Sequence, residues 1–222
     1  MKKKIIDSFR EPFKNPNCRL NLLIGGVMTF FPFINFISLG FLATKLEKSI
    51  EQDKTPVKWD ENIRQLFIKG LKMAAIGGIY LVLPLLFALL GSFFILSLGQ
   101  GKIFSIFYFR GQVLNIIATL LLLGSLYLLP FSVCLFLEGK SMKKGFDIKE
   151  TMERILLVIK EYTAIYAIII SQLVISAIII LFLMNWVAGI LIGGFIAFYD
   201  GLVITNLLCK FFPRKSININ IK

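Results

Sequence analysis

Residues 21–48, NLLIGGVMTFFPFINFISLGFLATKLEK, are apolar over a length that could cross a bilayer, yet they contain Pro32, Asn35 and Gly40. A single crossing would put the two ends of the chain on opposite sides of a membrane. A run that dips in and returns would keep them on the same side. Further apolar runs follow at about 73–96, 113–137, 162–183 and 187–209, each long enough to cross roughly 30 Å of hydrocarbon. With 57% hydrophobic residues, 22 phenylalanines and a mean hydropathy of +0.80 over 222 residues, a water-soluble fold would leave far too much apolar surface wet. The chain reads as a multi-pass membrane protein.

Charge decides between the two paths. The 25 lysines and arginines outnumber the 13 aspartates and glutamates, and they are unevenly placed. They crowd residues 1–20, 45–72, 140–160 and 210–222, whereas Lys102 and Arg110 alone separate the second and third runs and none lies at Met184, Asn185 and Trp186. Basic connections stay on the cytoplasmic side and face anionic lipid. A single crossing at 21–48 would put the basic N-terminal arm on the side of the two basic-poor connections. A re-entrant hairpin, turning near Pro32 to Asn35, keeps every basic segment on one side. The expectation is therefore an all-α integral membrane bundle in one membrane domain. It has four full spans plus a re-entrant or broken first segment, five spans being the alternative, with both termini cytoplasmic in the cell membrane. The positive balance is assigned to anionic membrane lipid, not to nucleic acid.

The segments flanking the runs are amphipathic. Ile5, Ile6, Phe9 and Phe13 recur at helical spacing in an interfacial arm, residues 1–20, with Pro12 and Pro16 at its end and a soluble docking helix as the alternative reading. Ile63, Leu66, Phe67 and Leu71 form a second stripe after a turn at Thr55-Pro56 and Trp59-Asp60, and Ile148, Met152, Ile155, Leu156 and Ile159 a third, entered by a capping box at Asp147 and Glu150. A charged amphipathic helix feeding an apolar run thus occurs three times, at 5–46, 61–96 and 147–183. Residues 99–112 are expected to form an aromatic loop that lies on the outer leaflet or caps the bundle, partner binding being the alternative. Pro32, Pro84 and Pro130 are candidate hinges or kinks. No apolar stretch follows the N-terminal lysines as a cleavable leader would require.

Several chemistries are excluded by composition. The chain has no histidine, which removes imidazole metal sites and histidine-based acid–base work. Cys18, Cys134 and Cys209 lack metal-ligand spacing. No cofactor and no metal are expected, and the chain does not read as an enzyme.

The sequence resembles a family at this point. LIGGVMTFFPFINFISLGFLATKLEKSI, the proline and Trp59-Asp60 of the following loop, LFIKGLKMAAIGGIYLVLP, the YLLP ending at Pro130 and the triplet Gly145-Phe146-Asp147 are similar, in that order, to the bacterial and archaeal membrane family called domain of unknown function 4013. The resemblance implies an integral membrane protein and supplies no catalytic or binding residues.

Asp200 is the sharpest single residue, because a carboxylate midway along the last run is costly unless neutral, solvated or hydrogen-bonded. Gly189, Gly193, Ala197, Gly201 and Thr205 repeat every four residues beside it, as a ridge for close helix approach. Gly70, Ala74 and Gly78 form a second ridge, and Ser171, Gln172 and Ser176 a polar face. Two readings stand: Asp200 touches an ion, proton or substrate amine, or it pins helices together with Tyr199, Asn206, Tyr166, Gln172 or Tyr127 as partner. Two functions follow: a scaffold or accessory subunit organising lipid, a membrane-protein partner or further copies of itself, and a small transporter or channel built on Asp200.

Overall fold

The computed structural model describes residues 2–14, 16–53, 55–59, 62–96, 102–183 and 187–212, and among these every regular element is helical. The helices are α1 (Lys2–Arg10), α2 (Pro16–Phe30), α3 (Asn35–Ile50), α4 (Ile63–Leu96), α5 (Lys102–Gly139), α6 (Met142–Gly145), α7 (Ile148–Leu157), α8 (Ile159–Leu183) and α9 (Val187–Phe211), with a 3₁₀ turn at Glu11–Phe13. Four are long and apolar enough to cross a membrane, over Ile63–Leu96, Tyr108–Gly139, Ile159–Leu183 and Leu191–Phe211.

Residues 21–48 do not form one span. Pro16 opens α2 at the first helical position, where its missing N–H costs nothing. The helix ends at Phe30, and the chain turns through residues 31–34, Pro32 among them, before α3 begins at Asn35. The two helices have 15 and 16 residues, about 22–24 Å each, too short to cross singly. They pack on each other, and Ser38 Oγ donates to the Gly25 carbonyl at 3.3 Å in a buried position. This is the hairpin path, and it removes the five-span alternative. Gly40 does not interrupt α3. An added Cβ there would strike the Leu66 carbonyl, and one at Gly70 would strike the Phe36 carbonyl, so α3 and the start of α4 cross backbone to backbone.

The second amphipathic stripe and the run after it are one continuous helix of 34 residues, about 51 Å, that passes through Pro84 unbroken. Its N-cap is Asn62, in a left-handed conformation at φ 50°, whose side chain accepts from Gln65 N. The expected aromatic loop is helical instead: α5 starts at Lys102, so residues 103–109 are its first turns. The reason is compositional, since IFSIFYF contains no residue that breaks a helix. The tight connection expected at residues 184–186 lies outside the described residues, as do residues 97–101 and 213–222. The third amphipathic segment begins as the spacing predicts. Asp147 caps α7 by accepting from Glu150 N at 2.9 Å, but Glu150 does not complete the box, being drawn to Arg154 Nη2 at 2.7 Å. A break at Val158 separates α7 from α8.

The chain divides into two compact units, Ala75–Pro130 and the remainder, Met1–Ala74 with Phe131–Lys222. In the smaller unit, α4 and α5 meet at Gly91 and Gly111, where an added Cβ would collide with Asn115 and Ile95 respectively. In the larger unit α9 is the hub, packed by α2, α8, α3 and α1. Gly25 and Gly26 leave room for the Phe198 and Phe195 rings. Phe41, Leu42, Phe198 and Leu202 form one buried cluster, and Trp59 lies flat on Phe41 at 4.1 Å while its Nε1 donates to Asn21 Oδ1 at 2.9 Å. Residues 131–137 are buried without exception, as for a helix segment enclosed on all sides. At one rim of this unit Arg154, 12% exposed, reaches Glu138 at 2.8 Å as well as Glu150, and lies 5.7 Å above the Phe212 ring.

Candidate functional site

Asp200 is buried at 3% exposure, on the side of α9 facing α8. Gln172 Nε2 donates to its Oδ1 at 2.8 Å, and Ser176, one turn further along α8, is its second hydrogen-bonding partner. The polar face on α8 thus divides: Gln172 and Ser176 serve Asp200, while Ser171 donates to the Ala167 carbonyl of its own helix at 2.8 Å. Of the other expected partners, Tyr199 donates its hydroxyl to the Phe9 carbonyl at 3.2 Å. Tyr166 stands against Tyr162 with ring centroids 6.1 Å apart. Asn206 donates to the Ser8 carbonyl at 3.3 Å.

The small-residue ridge serves more than one neighbour. Gly189 and Gly193 face Leu183 and Ile180 of α8, Ala197 is exposed, and Gly201 faces Leu42 of α3. A repeat of four advances about 40° per step around an α-helix, so its ends meet different helices. The close approach of α2 uses Gly194, one residue off that ridge, against the Gly26 carbonyl.

The feature that sequence reasoning did not find is a half-open cavity of about 970 Å³ in the larger unit, at the C-terminal ends of α3 and α9 and the first turn of α2. Lys4, Lys45, Lys48 and Lys210 line it together with Glu11 and Asp53, and Phe41, Leu202, Phe211 and Phe212 provide an apolar wall. Lys45 Nζ contacts Glu11 at 3.2 Å. Lys210 Nζ donates to Ser8 Oγ at 2.8 Å and to the Lys4 carbonyl at 3.1 Å, and Lys4 Nζ lies 5.8 Å from the centre of the Phe211 ring. Asp53 is held below the ordinary carboxylate value of 3.8 by the backbone N–H and hydroxyl of Thr55, with Lys48 adding to the effect. Cys18 and Cys209 also line this cavity, whereas Cys134 is fully buried away from it. All three thiols are free. The sequence signal was available: Lys45, Lys48 and Lys210 each follow an apolar run, but only the hairpin brings them to one place.

Asp200 lines neither this cavity nor a second, smaller one of about 440 Å³ around Thr44, Glu47 and Lys140. Among the described residues no three His, Cys, Asp or Glu side chains are grouped so as to hold a metal ion.

The family described as "Protein of unknown function (DUF4013)" matches residues 24–199. The chain belongs to this family. No curated protein and no solved structure matches it. The family match stops one residue short of Asp200 and does not reach α1, so the DUF4013 region carries the second half of α2, the turn, α3 to α8 and the first half of α9. Membership agrees with four apolar helices of membrane-crossing length and brings no activity with it.

Proposed function

We propose that this DUF4013 protein is a non-enzymatic, multi-pass membrane protein that organises lipid or a membrane partner, with its termini and lysine-rich ends on the cytoplasmic side. The observation that carries the proposal is α7. This helix has 10 residues, about 15 Å, too short to cross. Its inner face is Thr151 and Ile155, while Ile148, Met152 and Leu156 stand 45–60% exposed one turn apart, among the charges of Lys149 and Glu153. A short helix with such a stripe lies on a membrane surface or against another membrane protein.

Orientation follows from charge. The lysine-lined cavity, Arg154 and the exposed face of α7 all belong to the larger unit, which contains most of the basic segments, and the positive-inside rule puts those segments in the cytoplasm.

The transporter reading has less support. Asp200 has its hydrogen bonds made by Gln172 and Ser176 and touches neither cavity, so it has the surroundings of a packing residue. Purification in a mild detergent followed by native mass spectrometry tests the proposal: retained phospholipid or a stoichiometric membrane partner is the expected result. A lone, lipid-free monomer refutes it. In proteoliposomes Asp200→Asn leaves ion and proton flux at the wild-type level, and a flux abolished by that substitution revives the transporter.

A further inference from the structure

Four lysines and two carboxylates line the larger cavity, an excess of two positive charges around an open space with aromatic and aliphatic walls. The carboxylates are engaged, Glu11 by Lys45 and Asp53 by Thr55. Among the described residues neither Lys4 nor Lys210 has a carboxylate partner. Lys210 uses two of its three N–H donors on α1 and has one left. Lys48 and Lys210 stand in the last turns of α3 and α9, where they offset the negative ends of those helix dipoles. Cys18 brings in the first turn of α2, whose N–H groups have no intrahelical acceptor and carry partial positive charge.

An anion with several oxygens suits such a set, because ammonium groups serve phosphate as point charges from several directions. The wall defines the rest of the ligand. Phe41, Leu202, Phe211 and Phe212 together with Val57 and Pro56 are a large apolar area to leave beside four ammonium groups, and a small inorganic ion would leave it wet. We propose that this cavity binds the phosphate ester headgroup of an anionic amphiphile, with the lysines on the phosphate and the aromatic wall on the adjoining apolar body. This assignment rests on the lipid-organising reading above and names the chemistry by which it would act.

The native cysteines supply the probe. Cys18 and Cys209 line the cavity and Cys134 is sealed from it, so an uncharged maleimide reports occupancy at the first two and has an internal control in the third. The full chain is placed in nanodiscs of phosphatidylcholine alone, or with one-fifth phosphatidylglycerol, or in phosphatidylcholine with soluble glycerol 3-phosphate. Phosphatidylglycerol is expected to slow labelling at Cys18 and Cys209 about fivefold or more, and Lys4→Gln with Lys45→Gln to remove that protection, each lysine being worth about fivefold in affinity for an anionic surface. Lys4→Gln alone, at an exposed residue, gives a partial loss without touching the Lys45–Glu11 pair. Protection by glycerol 3-phosphate supports the site with a soluble ester as its ligand; protection by phosphatidylglycerol alone supports it with a lipid headgroup. Unchanged labelling in both arms overturns the assignment, as does equal slowing in wild type and the double variant, which would report only the charge of the disc surface. Lipid retained on purification without thiol protection refutes the site and leaves the scaffold reading standing, whereas a lipid-free, partner-free monomer removes both.

Discussion

The side-chain amide of Asn206 donates to the main-chain carbonyl of Ser8 at 3.3 Å, across 198 positions of sequence. Ser8 lies in the last turn of α1, where the helix's own carbonyls have no intrahelical donor. Tyr199 does the same for its neighbour, its hydroxyl donating to the Phe9 carbonyl at 3.2 Å. With Lys210 on Ser8 Oγ, α9 uses three side chains, one or two turns apart, to hold the end of α1. Ile5 and Phe9 pack beneath these bonds on a cluster of Ile165, Ile169, Val203 and Leu207. The arm read from sequence as an interfacial helix is thus docked on protein along one side, while Ile6 and Phe13 remain half-exposed on another.

Replacing Asn206 with Ala leaves a buried carbonyl without a donor, at a cost of about 1–2 kcal/mol. The loss is local to α1. Limited proteolysis in detergent should cleave residues 2–14 faster in Asn206→Ala than in wild type, with the midpoint of thermal unfolding only slightly lowered. Unchanged cleavage would show that Tyr199 and Lys210 hold the helix without it.

Gly40 and Gly78 make a pair of opposite expectations. A methyl at Gly40 meets the Leu66 carbonyl, which is backbone and cannot rotate away, so Gly40→Ala forces α3 and α4 apart at about 1–3 kcal/mol. At Gly78 an added Cβ meets nothing, and Ala is the better helix former by up to about 1 kcal/mol. Unfolding midpoints measured side by side should fall for the first substitution and stay level or rise for the second. A drop at both would mean that sequence spacing, not the observed contact, identifies packing glycines here.

Two exposed groups set the edges of the pH range. Asp53 is depressed below 3.8 by Thr55, so its contribution is complete above that value and disappears as pH falls through its lower folded value. Lys140 is raised above 10.5 by Glu51, which its Nζ meets at 2.9 Å; its contribution is complete below 10.5 and disappears as pH rises through the higher folded value. The stability difference between wild type and Asp53→Asn should therefore be flat near neutrality and shrink only in strong acid. For Lys140→Gln it should shrink only in strong base. The Lys140–Glu51 contact is a surface ion pair and should weaken with added salt, and chemical denaturation across pH at two salt concentrations checks the three trends together.

The hairpin is legible in the sequence because a mid-run proline and a count of positive charges both argue against a straight crossing. Asp200 was legible too, since an acid in so apolar a stretch must have partners, and Gln172 was among those named. What escaped is what depends on contacts between distant segments. Spacing puts Ser176 on a polar face with Ser171 and Gln172, but it says which residues share a face, not what the face meets. The aromatic segment 103–109 looked like a loop because it lies between charges near a basic-poor turn, yet its helix extends through it. The lysine cavity needed four segments in register, and charge counting assigns those lysines only to a side of the membrane.

Asp200 gives the most discriminating stability test. Its Oδ1 accepts from Gln172, and asparagine retains an oxygen at that place while removing any negative charge. If the residue serves packing, Asp200→Asn should fold with a stability within about 1 kcal/mol of wild type, since the hydrogen bond survives and interhelical bonds of this kind are modest in membranes. Asp200→Leu should cost about 2–3 kcal/mol, because it strands the Gln172 amide and the Ser176 hydroxyl with no acceptor between α8 and α9. Adding Gln172→Leu should recover part of that loss by removing the stranded amide, a non-additivity expected only of residues in contact. Denaturation of wild type, Asp200→Asn, Asp200→Leu, Gln172→Leu and the double variant in one detergent decides the matter. A large loss for Asp200→Asn, with no rescue of Asp200→Leu by Gln172→Leu, would mean that the carboxylate's charge is what α9 preserves, and the acid would then be working rather than packing.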